Sequence, residues 1–343
     1  MTRARHPKIA AVASVAACLT MGIVANSAAA AGSLTGAGST LVAPLEAYWA
    51  QEFQHLYGDN VTYAAVGSGA GIAQISARTV DFGASDAPMT STQAAGCKEC
   101  FQIPWALTAT GIAFHLEGIR KLNLTGPIVA NIYFGKITNW DDPSIAKINK
   151  GTKLPNLKIT PVFRSDGSGD TYAFTDYLSR VSSQWKSQVG NATSVNFPTG
   201  VGGKGNAGVT AVVSSTNGGI AYISASYIIA HRELGAAALQ NAAGKFEYPN
   251  LKNIEEAAKS VKHVPANNEM HIVNPPKKYK AAYPLSTFTY AIVPKGAPQK
   301  ALLASWIYYA MTGGQKFGAA LDFAPIPKVV LKAGVKTVKE LQQ

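Results

Sequence analysis

Three times in this sequence a run suited to a β-strand gives way, through a short turn of glycine, serine and threonine, to the start of a helix. The turns are Gly36-Ala-Gly-Ser-Thr40, Gly67-Ser-Gly-Ala-Gly71 and Arg164-Ser-Asp-Gly-Ser-Gly-Asp170. Strands alternating with helices in this way indicate an α/β chain with mainly parallel pairing. Residues 61–66, 79–84, 159–163 and 219–223 carry the β-branched and aromatic content of strands. Residues 44–57 place Leu45, Trp49, Phe53 and Leu56 on one helical face, with Pro44 suited to a first turn, and 71–78 and 171–181 continue the helical pattern. The Lys- and Asn-rich stretch 242–280 is the least patterned and is expected to be a surface excursion. The 343 residues suffice for about two domains.

The turns also suggest a chemistry. Helix N-termini offer unpaired N–H groups and a positive dipole end, and glycine lets the backbone close around a ligand, so three such turns can converge on one anion. A fourth segment, Gly83-Ala-Ser-Asp-Ala-Pro88, puts Asp86 just beyond a strand. Taken singly, each turn reads first as ordinary helix capping. With 47% hydrophobic residues the chain is not disordered, and with only 15% charged residues, against about 25% in typical domains, uncharged groups must carry much of any binding. The formal charge of +12 points to an anionic partner without naming it. Nucleotide binding is disfavoured: Gly200-Val-Gly-Gly-Lys-Gly-Asn206 has glycine where a phosphate loop needs Ser or Thr after lysine, and Gly36-Ala-Gly38 lacks the third glycine of the dinucleotide fingerprint. Serine hydrolysis is disfavoured by the absence of a G-x-S-x-G elbow, and His55, His115 and His231 read as surface or packing residues.

The N-terminus has a basic start with Arg3, Arg5 and Lys8, an apolar run from Ile9 to Ala25, and small residues up to Ala31. These are the parts of a secretory signal peptide spanning residues 1–30, with cleavage expected near Ala30. A membrane anchor and a lipoprotein site at Cys18 are the alternatives. Removing the leader lowers the positive charge by three and leaves Cys97 and Cys100 as the remaining cysteines. In an oxidising compartment Cys97-Lys-Glu-Cys100 is expected to form a short local disulfide. A thioredoxin-like pair lacks its strand-to-helix context here, and a zinc site lacks a second cysteine pair. The lysines at 277, 278 and 280 read as a solvated exported surface rather than a nucleic-acid patch.

Together, Ser33-Leu-Thr-Gly-Ala-Gly-Ser-Thr40, Thr79-Val-Asp-Phe-Gly-Ala-Ser-Asp-Ala-Pro88, Gly135-Lys-Ile-Thr-Asn-Trp140 with Asp142-Pro143, Arg164-Ser-Asp-Gly-Ser-Gly169 and Gly202-Gly-Lys-Gly-Asn206 closely resemble the phosphate-binding protein of bacterial phosphate ABC transporters. The resemblance runs in order from about residue 32 to the C-terminus and weakens between about 225 and 280. It implies a two-lobe, type II-like periplasmic-binding-protein fold, with 31–115 plus 285–343 as lobe I and 116–284 as an inserted lobe II. Crossing strands are expected near 111–116 and 285–292.

By the same resemblance, one phosphate lies in the cleft, bound by the side chain of Thr40, the N–H of Leu41 (often Phe in the family), Ser68, Arg164, Ser168 and the N–H of Gly169. Ser39 and Asp166 support them, Asp166 by orienting the guanidinium. Asp86 accepts a proton that phosphate carries and sulfate lacks, so like-charge repulsion rejects sulfate. Asp170 departs from the family's usual Thr. Its carboxylate is expected either to turn to solvent as a favourable charge at a helix N-terminus or to accept a second phosphate proton. The implied protein is a monomeric, non-enzymatic, periplasmic receptor without cofactor or metal that delivers phosphate to membrane permease subunits and binds no nucleic acid. A receptor for arsenate or sulfate, and a secreted phosphomonoesterase, are the alternatives.

Overall fold

The computed structural model describes residues 31–343. The leader, its cleavage point and Cys18 lie outside the described residues. In chain order the first half comprises β1 (Ser33–Gly38), α1 (Ala43–Tyr57), β2 (Asn60–Ala65), α2 (Ser68–Ser76), β3 (Phe82–Ser85), α3 (Ser91–Gly96) and β4 (Cys100–Phe114). There follow β5 (Lys121–Leu124), α4 (Gly126–Tyr133), α5 (Pro143–Ile148), β6 (Thr160–Arg164), α6 (Gly169–Val181), α7 (Ser183–Gln188), β7 (Val201–Gly203), α8 (Gly205–Ser215) and β8 (Gly219–Ser224). The chain ends with α9 (Ala225–Ala230), β9 (Gly235–Gln240), β10 (Phe246–Glu247), α10 (Leu251–Ala258), β11 (Ser286–Pro294), α11 (Lys300–Met311) and α12 (Lys328–Gln342).

Parallel pairing is confined to the outer strands. β1 lies between β2 and β3, parallel to both; β6 lies between β7 and β8, again parallel to both; β5 runs parallel to β9. The middle is antiparallel: β11 pairs with β3 and β4, and β4 with β8 and β9. β4 is the element common to both halves. Its 15 residues far exceed the usual strand of about five or six, and buried residues run without a break from Gln102 to Phe114. Residues 100–109 pair with β11, while 110–114 pair with β8 and β9. β4 and β11 overlap in sequence the stretches 111–116 and 285–292.

Two aromatic groups lie within one continuous hydrophobic core. Trp49, Phe53, Phe82, Trp105 and Trp306 pack edge to face in the first, where Trp49 Nε1 donates to the Gly314 carbonyl at 2.9 Å. Tyr133, Phe174, Trp185 and Tyr222 fill the second, with Phe174 stacked on Tyr222 at 4.3 Å.

Three expectations need correction. Leu56 is 52% exposed, so the buried face of α1 ends at Phe53. α2 starts at Ser68 rather than Gly71, because Gly67 takes φ +96° and turns the chain into the helix early. The stretch 242–280 is no surface excursion: it forms β10 and α10 and buries Ile254, Ala257, Met270 and Ile272. Its pattern was hidden because much of that burial is irregular backbone, tied by side chains such as Asn268, whose Nδ2 donates to the Gln102 carbonyl at 2.8 Å.

Candidate functional site

The predicted turns do converge. The C-terminal ends of β1 and β3 deliver Ser39–Leu41 and Asp86. The first turn of α2 brings Ser68. The end of β6 and the start of α6 bring Arg164 and Ser168–Asp170, and the start of α8 brings Asn206. Carboxyl ends of strands facing helix N-termini are where open α/β sheets bind ligands. Thr40, Ser68, Asp86, Arg164, Ser168, Asp170 and Asn206 are each at most 6% exposed. Gly38, at φ +146°, lets the first turn lie against β3, where a Cβ would stand 2.7 Å from the Ala84 nitrogen.

One group of contacts centres on Asp86. Ser39 Oγ donates to its carboxyl at 2.6–2.7 Å, and Ser68 Oγ donates at 3.3 Å. Ser39 Oγ in turn accepts the N–H groups of Leu41 and Val42 at 3.0 and 3.2 Å. Ser68 Oγ accepts the N–H of Gly169 at 3.1 Å, which joins α2 to the start of α6. The hydroxyl of Thr287 on β11 donates to the Asp86 carbonyl at 3.1 Å.

The second group centres on Arg164. Its Nε and Nη2 form a two-pronged bond to Asp166 at 2.8 and 2.6 Å, and Nη1 meets Asp170 at 3.0 Å. Asp166 also accepts the Gly205 N–H at 2.9 Å. Asp170 accepts from Thr110 Oγ1 and Asn206 Nδ2, both at 2.7 Å. Asn206 reaches Thr40 through Nδ2 at 2.9 Å and through its backbone N–H at 3.1 Å, linking the two groups. Ser168 Oγ accepts the Thr171 N–H at 3.3 Å and caps α6.

The electrostatics follow from burying three carboxyls around one guanidinium. Burial, with the Asp170 charge adding to it, pushes Asp86 up to about 7, against the opposing bonds from Ser39 and Ser68. Burial pushes Asp170 up as well, but its ion pair with Arg164 and its bonds from Thr110 and Asn206 oppose that shift. Asp86 has no direct cation contact to offset burial, whereas Asp170 has the Arg164 ion pair, so the two carboxyls titrate as a pair in which the charged form of Asp86 is the less supported. Burial of half-buried Asp166 is outweighed by its bonds to Arg164, which hold it below the usual carboxylate range. Burial also works against the Arg164 charge, and the bond to Asp166 and the charges of Asp170 and Asp166 outweigh it, keeping the guanidinium protonated.

Seven of the eight residues expected to contact ligand, with Ser39 and Asp166, lie in this one network, and the Ser168 hydroxyl caps α6 beside it. The expectation that Asp170 turns to solvent is overturned: Arg164, Thr110 and Asn206 draw its carboxylate fully inside. Two participants were missed. Asn206 sits in another strand, glycine turn and helix start, Val201–Gly203 into α8, so the repeated design already marked it. Thr110 lies mid-strand on β4 and carries no local signal. Away from the cluster, Cys97 and Cys100 are joined, with Cα atoms 5.6 Å apart.

A family model described as a PBP superfamily domain matches residues 24–313. The phosphate-binding protein PstS of Xylella fastidiosa is 37% identical over 306 residues, covering 87% of this chain and 83% of that protein. The PstS of Haemophilus influenzae is 37% identical over 316 residues, covering 90% and 92%. The crystal structure of a phosphate-binding protein from Stenotrophomonas maltophilia superposes with a TM-score of 0.69 at 19% identity, covering 89% and 94%, which bears on the fold. A periplasmic phosphate-binding protein solved with phosphate gives a TM-score of 0.71 at 21% identity, covering 89% and 93%. Fold, turn chemistry and relatives agree: the chain is a two-lobe α/β member of the PBP superfamily and belongs among the PstS phosphate-binding proteins.

Proposed function

We propose that this protein is the extracytoplasmic receptor of a phosphate ABC importer and binds one inorganic phosphate at the buried cluster. The observation that carries the reading is the convergence of Thr40, Leu41, Ser68, Arg164, Ser168, Gly169 and Asp170 from three turns, and of Asp86 from the end of β3, into one cluster. Helix N-termini and hydroxyls dominate that cluster, as binding of a small anion requires. Because the charges of Asp166 and Asp170 more than offset that of Arg164, the phosphate charge is met chiefly by N–H dipoles and hydroxyls, and one proton is shared between phosphate and Asp86. Lobe I comprises residues 31–115 and 285–343, lobe II the residues between, and β4 and β11 connect them. Bonds such as Gly169 N–H to Ser68 Oγ and Asn206 to Thr40 close the two against each other. The leader directs export, the protein acts as a monomer, and the closed form is handed to membrane permease subunits.

The protein is a receptor and not a phosphatase. The relatives that the chain matches over most of their length are named as binding proteins, which supports this reading. Calorimetric titration with phosphate, run beside a phosphomonoester hydrolysis assay, tests this. Stoichiometric binding without turnover is expected; turnover, or no phosphate binding, overturns the reading.

A further inference from the structure

We propose that Cys97–Cys100 is an exchangeable disulfide, opened and closed by a dithiol that attacks Cys100, rather than a structural staple. Four observations carry this. The ring closes across only two intervening residues, so it constrains the unfolded chain very little. Those two residues, Lys98 and Glu99, are both held at positive φ, +45° and +62°, where side-chain-bearing residues are strained. The Arg78 guanidinium sits against the sulfurs, with Nη1 3.5 Å from Cys100 Sγ and 3.7 Å from Cys97 Sγ, a setting that stabilises thiolate. Finally, the two sulfurs differ in access. Cys97 is fully buried, whereas Cys100 is partly exposed and lines a groove of about 240 Å³ with Met89, Ser91, Gln102, Asn267 and Glu269.

The exchange then has a direction. A thiolate of the dithiol enters the groove and bonds to Cys100 Sγ; the disulfide breaks and its electron pair leaves on Cys97 Sγ, beside Arg78. The second thiol of the reductant attacks its own sulfur in the mixed disulfide and expels Cys100 as thiolate. Two electrons and two protons pass to the cysteine pair, and the dithiol becomes a disulfide. Arg78 also donates to the carbonyls of Ile75, Cys97 and Lys98, so it joins the end of α2 to the exchanging loop. α2 is the helix whose first turn holds Ser68.

The test uses the full chain without denaturant. Dithiothreitol at pH 7 is expected to reduce the pair completely with the far-ultraviolet circular dichroism unchanged; a bond that yields only after unfolding overturns the proposal. Incubated with oxidised glutathione, Cys97→Ser is expected to form the Cys100 adduct at least tenfold faster than Cys100→Ser forms its adduct at the buried Cys97. Equal rates would contradict the assigned direction. Arg78→Gln is expected to shift the dithiothreitol equilibrium at least tenfold toward the disulfide. Because Arg78 also caps carbonyls and its variant can misfold, the alkylation pH profile of the reduced wild type supplies an independent reading. A thiol titrating below the ordinary cysteine value supports the proposal, and one at or above it does not.

Discussion

Replacing Asp86 by asparagine separates the two consequences of burying its carboxyl. Burial and the Asp170 charge raise it from 3.8 to about 7, roughly three units at about 1.4 kcal/mol each, or about 4 kcal/mol. Below about pH 4 the folded and unfolded chains both hold the proton and nothing is lost. As pH rises from about 4 to 7 the unfolded chain releases it while the folded chain keeps it, so stability falls, and the full penalty applies above 7. Asparagine cannot ionise, but it keeps one acceptor for Ser39 and weakens those bonds by about 1–2 kcal/mol. Without phosphate, Asp86→Asn is therefore expected to be about 2 kcal/mol more stable than wild type at pH 8 and no more stable at pH 4. Phosphate binding moves the opposite way: losing the acceptor for the phosphate proton costs about 1.5–3 kcal/mol, or about 10- to 150-fold in affinity. Denaturant unfolding at the two pH values, followed by calorimetry at pH 8, reads both. A pH-independent stability difference, or unchanged phosphate affinity, refutes the reasoning.

Other positions give separate tests. With Asp170 directed inside, the wild type is expected to bind phosphate several-fold more weakly at pH 8 than at pH 6, and Asp170→Thr is expected to flatten that profile in calorimetric titrations. Gly169→Ala would place a Cβ 2.7 Å from Asp86 Oδ2 and against the Asp86 Cβ, so the start of α6 could not approach β3. Phosphate affinity should fall at least about 100-fold while circular dichroism stays native, as overpacking at one contact implies. Glu46 is buried in α1 and raised by burial to about 8. Glu46→Gln should add up to about 4 kcal/mol of stability at pH 8, with the gain vanishing toward pH 4 and phosphate affinity unchanged.

Most of the site was legible because its residues sit where local chemistry is explicit. A glycine turn followed by a helix start marks Ser39–Leu41, Ser68 and Ser168–Asp170 irrespective of the tertiary fold, and Asp86 follows a strand end in the same way. The orientation of the Asp170 carboxylate was not legible. A carboxylate in the first turn of a helix is ordinarily favourable in solvent, and only the tertiary placement of Thr110 and Asn206 beside Arg164 makes burial the better outcome. The order of strands had a similar limit: alternating strands and helices implied parallel pairing, and the outer strands follow it. Whether the long apolar runs of β4 and β11 pair antiparallel depends on where each connection returns, which residue type does not encode. Residues 259–275 were opaque because their burial rests on single side chains such as Asn268 and Met270, not on a periodic face.

The central claim is that this cluster recognises phosphate through a proton met by Asp86, and competition with sulfate at pH 8 tests it most directly. At the effective dielectric of a protein site an ionised carboxyl about 4 Å from a dianion is repelled by about 8 kcal/mol, twice the unit-charge value, so at pH 8 Asp86, with its carboxyl at about 7, takes up a proton instead at a cost of about 1.4 kcal/mol, or about one decade in affinity. Sulfate at the same concentration as phosphate is expected to shift the phosphate titration of the wild-type protein only slightly. Sulfate displacing phosphate at comparable concentration would contradict it.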